Sequence, residues 1–489
     1  MNKPLRRIAI FCGLLIFALL LRDNWLQYVK ADELHDDPKN QRTVIARYKQ
    51  PRGNIIVEGK PITGSVKTDG ITYKYKRSYK DGEMWAPVTG YVSQIYGATQ
   101  IEKLEDSILT GDDDRLFFNR TIDMLTGKER KGGDVITTLN AKAQKAAFEG
   151  LGDKKGAVAA IDPKTGKILA LASTPSYDPS TIAGVTKKEE KAWKALDKKN
   201  NPDDPMLNRA LRQTYPPGST FKVITAAAAF ENGKYQTPDE HTNSPLPWKL
   251  PLSTQPLRNE GNLPCENVSL REALRISCNT VFGKLGDDLG KDKMLEQAEK
   301  FGFNSEVFTP VRANASVYPE NMDRPSNALS SIGQYDARAT PLQMAMVAAA
   351  IANDGKEMEP YMVDKLRAPN LNDIEQHQPK EMGEPISAET ASKLQSMMKT
   401  VVDDGTGKAA QIPGYEVGGK TGTAQHGVAN KNTPYAWFIS YVKDKDGSSP
   451  VAVAVVIESS NTLRDDVAGG KLAAPIARAV MKAVLDSKK

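Results

Sequence analysis

The sequence predicts an α+β protein: an antiparallel sheet with helices, preceded by a smaller mixed domain and one membrane-spanning helix. Three observations carry this. Two apolar runs, 156–162 and 167–173, flank the turn Pro163-Lys164-Thr165-Gly166 and read as a hairpin. A helical middle separates that hairpin from three apolar strands near the C-terminus, so the first and last strands belong in one sheet. Near the N-terminus an unbroken apolar run, 8–21, lies between basic residues.

The elements follow in chain order. As a helix the run 8–21 spans roughly 21 Å against a hydrocarbon core of roughly 30 Å. Arg7 and Arg22 can snorkel, and Trp25 and Tyr28 suit the interface. No small-x-small cleavage site follows, so the run reads as an uncleaved signal anchor, although a cleaved signal peptide fits its length equally. Lys3, Arg6 and Arg7 then stay in the cytoplasm and everything after the anchor is exported. The expected organisation is a cytoplasmic tip and anchor at 1–30, a non-catalytic domain at 31–153 and the main domain at 154–489.

Within the smaller domain the pattern gives a polar, then extended lead-in to residue 53, a strand at 71–75 and a helix at 101–109. Asp112-Asp113-Asp114 lacks the alternating ligand pattern of a calcium loop and reads as a solvated turn. A helix at 140–151 leads to the main domain. There the hairpin is followed by a charged loop with a helical piece at 185–205, and helices are expected from the segment 214–230, at 270–289 and at 341–353. Strands at 417–425, 436–442 and 451–457 and a helix at 473–485 close the chain.

A net charge of +6, with Lys and Arg interspersed among Asp and Glu, gives no nucleic-acid footprint. The histidines, His35, His241, His377 and His426, are scattered in polar segments without metal-ligand spacing, so neither a metal nor a cofactor is expected. His426 could line a cleft but reads more simply as a loop residue. Cys12 is inside the apolar run. Cys265 and Cys278 form the exported pair, and the sequence leaves open whether they are bridged or free.

The chemistry concentrates in 214–230, where Pro216-Pro217-Gly218 precedes Ser219 at an expected helix start and Lys222 lies one turn on. A nucleophile beside a buried amine, which loses its proton readily because burial disfavours the charged form, suggests serine catalysis without histidine. Ser-x-x-Lys alone is weak: Ser396/Lys399 in a polar helix and Ser440/Lys443 on a strand share the spacing but not the context. Ser-x-Asn occurs at 277–279 and at 459–461, the latter discounted as a strand end. Lys-Thr-Gly occurs at 164–166, a hairpin tip, and at 420–422, where glycines permit close backbone approach.

Ser219/Lys222, Ser277/Asn279 and Lys420/Thr421/Gly422, in that order, match the motif triple of penicillin-binding proteins and serine β-lactamases. With Arg52-Gly53-x-Ile55, Gly90 through Tyr96-Gly97 to Glu102, Asp162-Pro163, Thr340-Pro341-Leu342-Gln343 and Ala436-Trp437-Phe438, the chain resembles a class B penicillin-binding protein, most of all the actinobacterial members. The resemblance implies a penicillin-binding, serine β-lactamase-like transpeptidase domain on an N-terminal pedestal. It implies a D,D-transpeptidase that cross-links peptidoglycan stem peptides through a Ser219 acyl-enzyme, releases D-Ala and is covalently inhibited by β-lactams.

By the same resemblance Lys222 is the base, and Ser277 relays a proton to the leaving amine. Asn279 holds the acyl chain's amide. Lys420, Thr421 and Thr423 hold the substrate carboxylate, and the backbone N–H groups of Ser219 and Thr423 form the oxyanion hole. Implied partners are lipid-linked glycan strands and a membrane glycosyltransferase of the SEDS (shape, elongation, division and sporulation) family. A carboxypeptidase or β-lactamase-like hydrolase on the same fold is the alternative; the anchor and the extra domain favour transpeptidation. A scaffold with a decayed site is disfavoured by the intact motifs. Three departures stand out: Cys278 inside Ser-x-Asn, Tyr335 in Gly333-Gln334-Tyr335 where many relatives carry glycine, and Asn140 for a frequent Asp.

Overall fold

The computed structural model describes residues 3–35, 45, 47–127, 131–427, 430–460 and 462–488. Much of the polar lead-in after 35, and Asn461 of the discounted Ser-x-Asn triplet, lie outside the described residues. Helix α1 (Lys3–Tyr28) extends the apolar run at both ends, and its 26 residues reach about 39 Å, enough to cross a bilayer. None of its side chains is buried, and the Arg22 guanidinium lies 4.3 Å from the centre of the Trp25 ring.

The smaller domain begins with β1 (Ile55–Val57), β2 (Lys60–Pro61) and the ribbon β3 (Thr63–Lys67) with β4 (Tyr75–Tyr79). The strand expected at 71–75 is displaced to Tyr75–Tyr79. Thr68 N–H donates to Lys74 C=O at 2.8 Å, which makes the intervening residues a loop tip and leaves Ile71 exposed despite its β propensity. Helix α2 (Gly82–Thr89) follows. The helix expected at 101–109 is two short pieces, Gln100–Leu104 and Asp106–Thr110.

Glu102 is fully buried between two arginines. Its carboxylate accepts from Arg52 Nε at 2.8 Å and from Arg77 Nε at 2.6 Å, while Arg52 also reaches Asp106 at 2.5 Å. Burial pushes the Glu102 carboxyl up, but Arg77 and Arg52 outweigh it and hold it below the usual range. This gives the Arg52-Gly53-x-Ile55 stretch a physical purpose, since Arg77 also donates to Gly53 C=O at 2.6 Å.

Strand β5 (Asp134–Thr137) leads to α3 (Ala141–Leu151), capped by Asn140, whose side chain accepts from Ala143 N–H at 2.8 Å. Asn therefore serves the cap as an Asp would. The hairpin is β6 (Lys155–Ile161) and β7 (Ile168–Thr174). Next come α4 (Lys222–Glu231), α5 (Leu270–Arg275), α6 (Asn279–Leu289), α7 (Pro341–Ala352), β8 (Val363–Arg367), β9 (Asp373–Gln376) and α8 (Ala388–Asp403). Strands β10 (Glu416–Ala424), β11 (Tyr435–Lys443) and β12 (Val451–Ser459) and helix α9 (Ala474–Ser487) complete the chain. The single helix expected at 270–289 is broken into α5 and α6 at Ser277, which adopts φ +65°.

The main sheet is antiparallel in the order β10-β11-β12-β6-β7, joining the first hairpin to the last strands. Its alternation divides the core. Ala157, Ala159, Ala454, Val456, Trp437 and Ile439 face α7, whereas Val158, Ala160, Val453, Val455 and Phe438 face α3 and α9. Apart from Ala352 at its end, every residue of α7 is buried, which is why its Ala and Met show no polar face. The second five-stranded sheet runs β9-β8-β5-β1-β2, with β1 and β5 parallel. Strands β8 and β9, from beyond residue 153, thus complete a sheet begun by the smaller domain.

Candidate active site

The segment carrying Ser219 is held from three sides. Tyr215 exchanges two backbone hydrogen bonds with Ala339, at 2.9 and 2.8 Å, and Trp437 Nε1–H donates to Pro216 C=O at 2.9 Å. Gly218, at φ +54°, donates to Gly333 C=O at 2.9 Å. A Cβ on Gly333 would sit 2.2 Å from the Gly218 carbonyl oxygen, so that contact requires glycine. Ser219 itself lies in a 3-10 turn, Gly218–Phe221, and α4 starts only at Lys222. Edge strand β10 lies alongside: a Cβ on Gly422 would be 3.0 Å from Pro217 C=O.

Lys222 is fully buried at the start of α4. Its amine bonds Ser277 C=O at 2.7 Å, Ser277 Oγ at 3.2 Å and Asn279 Oδ1 at 2.7 Å. Burial, reinforced by the nearby charge of Lys420, holds the Lys222 amine well below the usual lysine range. Lys420 is also fully buried, its amine donating to Ser277 Oγ at 3.0 Å and to Thr421 C=O at 2.8 Å. Burial pushes Lys420 down to about 7, with Glu260 opposing.

The Ser277 hydroxyl is therefore the one atom both lysines touch. Its left-handed backbone, which costs a non-glycine residue on the order of 1–2 kcal/mol, is what turns α5 into α6 here. The flanking residues hold that turn. Cys278 is joined to Cys265 by a disulfide. Asn259 Oδ1 accepts from the N–H groups of Asn279 at 2.7 Å and Thr280 at 3.0 Å, and Asn279 Nδ2 donates to Arg258 C=O at 2.9 Å. The loop before Cys265 thus caps α6 across twenty residues of sequence.

A cavity of about 470 Å³ opens over this arrangement, lined among others by Ser219, Asn279, Thr423, Arg258, Glu260 and Tyr335. Ser219 is half-buried, and among the described residues its hydroxyl makes no hydrogen bond, not even to Lys222. Thr423 lines the cavity, whereas the Thr421 hydroxyl is turned to Thr406 Oγ1 at 2.6 Å. Tyr335 adopts φ +59°, a left-handed conformation that glycine takes more readily, and lines the cavity.

The rival motifs disperse. Ser396 accepts from Arg271, Lys399 pairs with Asp403, and Lys443 donates to Gln395. Gly166 is a hairpin turn at φ +81°. His426 stacks on Tyr435 at 3.9 Å with Nε2 against Thr433 C=O, and it does not line the cavity. Among the described residues no cluster of ligands could hold a metal ion. Sequence reasoning missed Arg258, Asn259 and Glu260. Their loop has no motif, and only the Cys265/Cys278 pair hints that it returns to Ser277.

Comparison with known proteins matches residues 156–482 to the penicillin-binding protein transpeptidase domain and residues 52–135 to the penicillin-binding protein A dimerisation domain. The chain is 41% identical to the peptidoglycan D,D-transpeptidase PbpA of Mycolicibacterium smegmatis, covering 99% of both chains. It is 42% identical to PbpA of Mycobacterium tuberculosis over 100% of both. Among solved structures it resembles the ceftriaxone acyl-enzyme complex of M. tuberculosis penicillin-binding protein A, with a TM-score of 0.85 at 40% identity, covering 90% of this chain and 100% of that one. The imipenem acyl-enzyme complex of the same protein gives 0.83 at 41%, with the same coverage.

Proposed function

The chain belongs to the class B penicillin-binding proteins, and from that premise we propose how its residues act. It is a serine-type peptidoglycan D,D-transpeptidase, with peptidoglycan as substrate and β-lactams as covalent inhibitors. Ser219 is the nucleophile. Neutral Lys222 takes its proton as Oγ bonds the penultimate D-Ala carbonyl carbon. The amide C–N bond breaks, the leaving D-Ala amine receives a proton through Ser277, and an ester to Ser219 remains. An acceptor amine then attacks the ester, a new amide forms, and Ser219 recovers its proton. One observation carries this reading: a single hydroxyl, Ser277 Oγ, bridges two buried lysines of unlike duty. With Lys420 donating to Ser277, the Ser277 hydrogen is free to turn to the lone pair of neutral Lys222, which completes a proton path.

Lys420 and Thr423 receive the substrate's terminal carboxylate. That anion raises the Lys420 pKa again, so the group is charged when it is needed. Asn279 positions the acyl chain's amide, with one N–H still available. Thr421 and Gly422 act through the backbone shape of β10 beside the Ser219 turn. The Ser219 and Thr423 backbone N–H groups stabilise the oxyanion, a contribution of roughly 3–4 kcal/mol per donor where measured. The open distance between Ser219 and Lys222 suits a free enzyme, whose catalytic hydrogen bonds tighten with substrate.

Residues 1–30 serve as the membrane anchor with the catalytic domain, 154–489, outside the cytoplasm, and 31–153 as pedestal. The exposed face of α1 is where a membrane glycosyltransferase of the SEDS family, acting on lipid-linked glycan strands, would bind. Product analysis of the detergent-solubilised chain with a stem pentapeptide and an amine acceptor tests the reading. Cross-linked peptide with D-Ala release is expected; free acid alone would make the enzyme a hydrolase.

A further inference from the structure

The cavity over Ser219 has an electrostatic problem for the second half-reaction. Arg258 lines it, and Lys222 and Lys420 lie beneath it, bonded to Asn279 and Ser277. An acceptor amine is an ammonium at neutral pH, and the Arg258 guanidinium in the lining opposes its entry as a like charge. Among the described lining residues Glu260 is the one carboxylate. It is exposed, and it forms no hydrogen bond or salt bridge among the described residues, not even with Arg258 two positions away.

Glu260 is also held in place by its neighbours. Asn259 bonds the first two N–H groups of α6, Arg258 C=O receives Asn279 Nδ2, and the Cys265–Cys278 disulfide closes the loop behind them. A free carboxylate on a segment pinned at four points to the Ser-x-Asn turn is placed for a ligand. Its charge already reaches the centre, since it opposes the lowering of both Lys222 and Lys420.

We propose that Glu260 is the docking carboxylate for the ammonium of the acceptor amine, and so determines that the acyl-enzyme is passed to an amine rather than to water. The inference rests on the transpeptidase reading above. The ammonium is held by Glu260 and gives one proton to solvent. The neutral amine then bonds the acyl carbon as the ester C–O bond to Ser219 breaks, and the second proton returns to Ser219 through Lys222. Glu260 touches the acceptor and takes no proton itself.

The test measures the ratio of aminolysis to hydrolysis for the full chain acylated by a D-alanyl thioester, with D-alanine as a charged acceptor and hydroxylamine as an uncharged one. Glu260→Gln is expected to lower that ratio for D-alanine by roughly threefold to tenfold through a raised acceptor KM, with hydroxylamine unaffected; Glu260→Asp restores part of it. Equal losses for both acceptors, no loss for either, or slower hydrolysis with aminolysis intact would overturn the proposal. The last result would make Glu260 a water-activating group. Any of these leaves transpeptidation standing, because the unmodified protein still transfers to amines. If the unmodified protein forms no acyl-enzyme, or transfers to neither amine, the transpeptidase reading itself fails.

Discussion

In the proposed mechanism two like residues, Lys222 and Lys420, take opposite roles. Both are fully buried and both donate to Ser277, but only Lys222 has the second lysine's charge acting to strip its proton, while Lys420 awaits an anion. Acylation should therefore rise with pH as Lys222, whose pKa is depressed, loses its proton. It should fall again once Lys420 deprotonates, from about 7 in the free site to a higher value with a carboxylate bound. A pre-steady-state profile of penicillin acylation between about pH 5 and 9 checks this, and a flat profile contradicts the assignment. At this scale the site was largely legible in the sequence. Ser219, Lys222, Ser277 and Lys420 converge, and context had already separated them from Ser396 and Ser440. Glu260 was not legible, because a carboxylate in a polar loop carries no local signal of what it faces.

Between residue and domain, the turn from α5 to α6 is the element that assembles the site. Residues 270–289 contain helix-forming residues on either side of Ser277 and no proline, so periodicity alone reads them as one helix. The break depends on tertiary partners: Asn259 supplying the cap from twenty residues away and Cys265 bridged to Cys278. For the same reason the strand expected at 71–75 shifted toward Tyr79, where ladder pairing with β3 decides. Reducing the disulfide should release this turn. A short closed loop of this kind stabilises by roughly 2–3 kcal/mol, so reduction is expected to lower the melting temperature and slow acylation together. Loss of stability with an unchanged acylation rate would show that the bridge supports the fold but not the site.

Across the whole molecule, the hairpin β6–β7 and the strands β10 to β12 were recognisable from apolar alternation, and they form one sheet as the order of elements implied. What the chain order hid is the return of β8 and β9 to the sheet of the smaller domain, a pairing over more than two hundred residues that no local pattern announces. The Arg52–Glu102–Arg77 cluster is non-local over a shorter span, joining residues 50 and 25 positions apart. The strands shared at β8 and β9 tie the pedestal to the chain between α7 and α8, so the larger domain contributes two strands to the sheet of the smaller one. In the proposed mechanism the whole arrangement serves one nucleophile, Ser219. The most direct test of this is intact-mass and peptide mapping after exposure to benzylpenicillin. One penicilloyl adduct is expected, located on Ser219 and lost in Ser219→Ala; no adduct on the unmodified protein, or an adduct that persists in Ser219→Ala, would rule Ser219 out as the nucleophile.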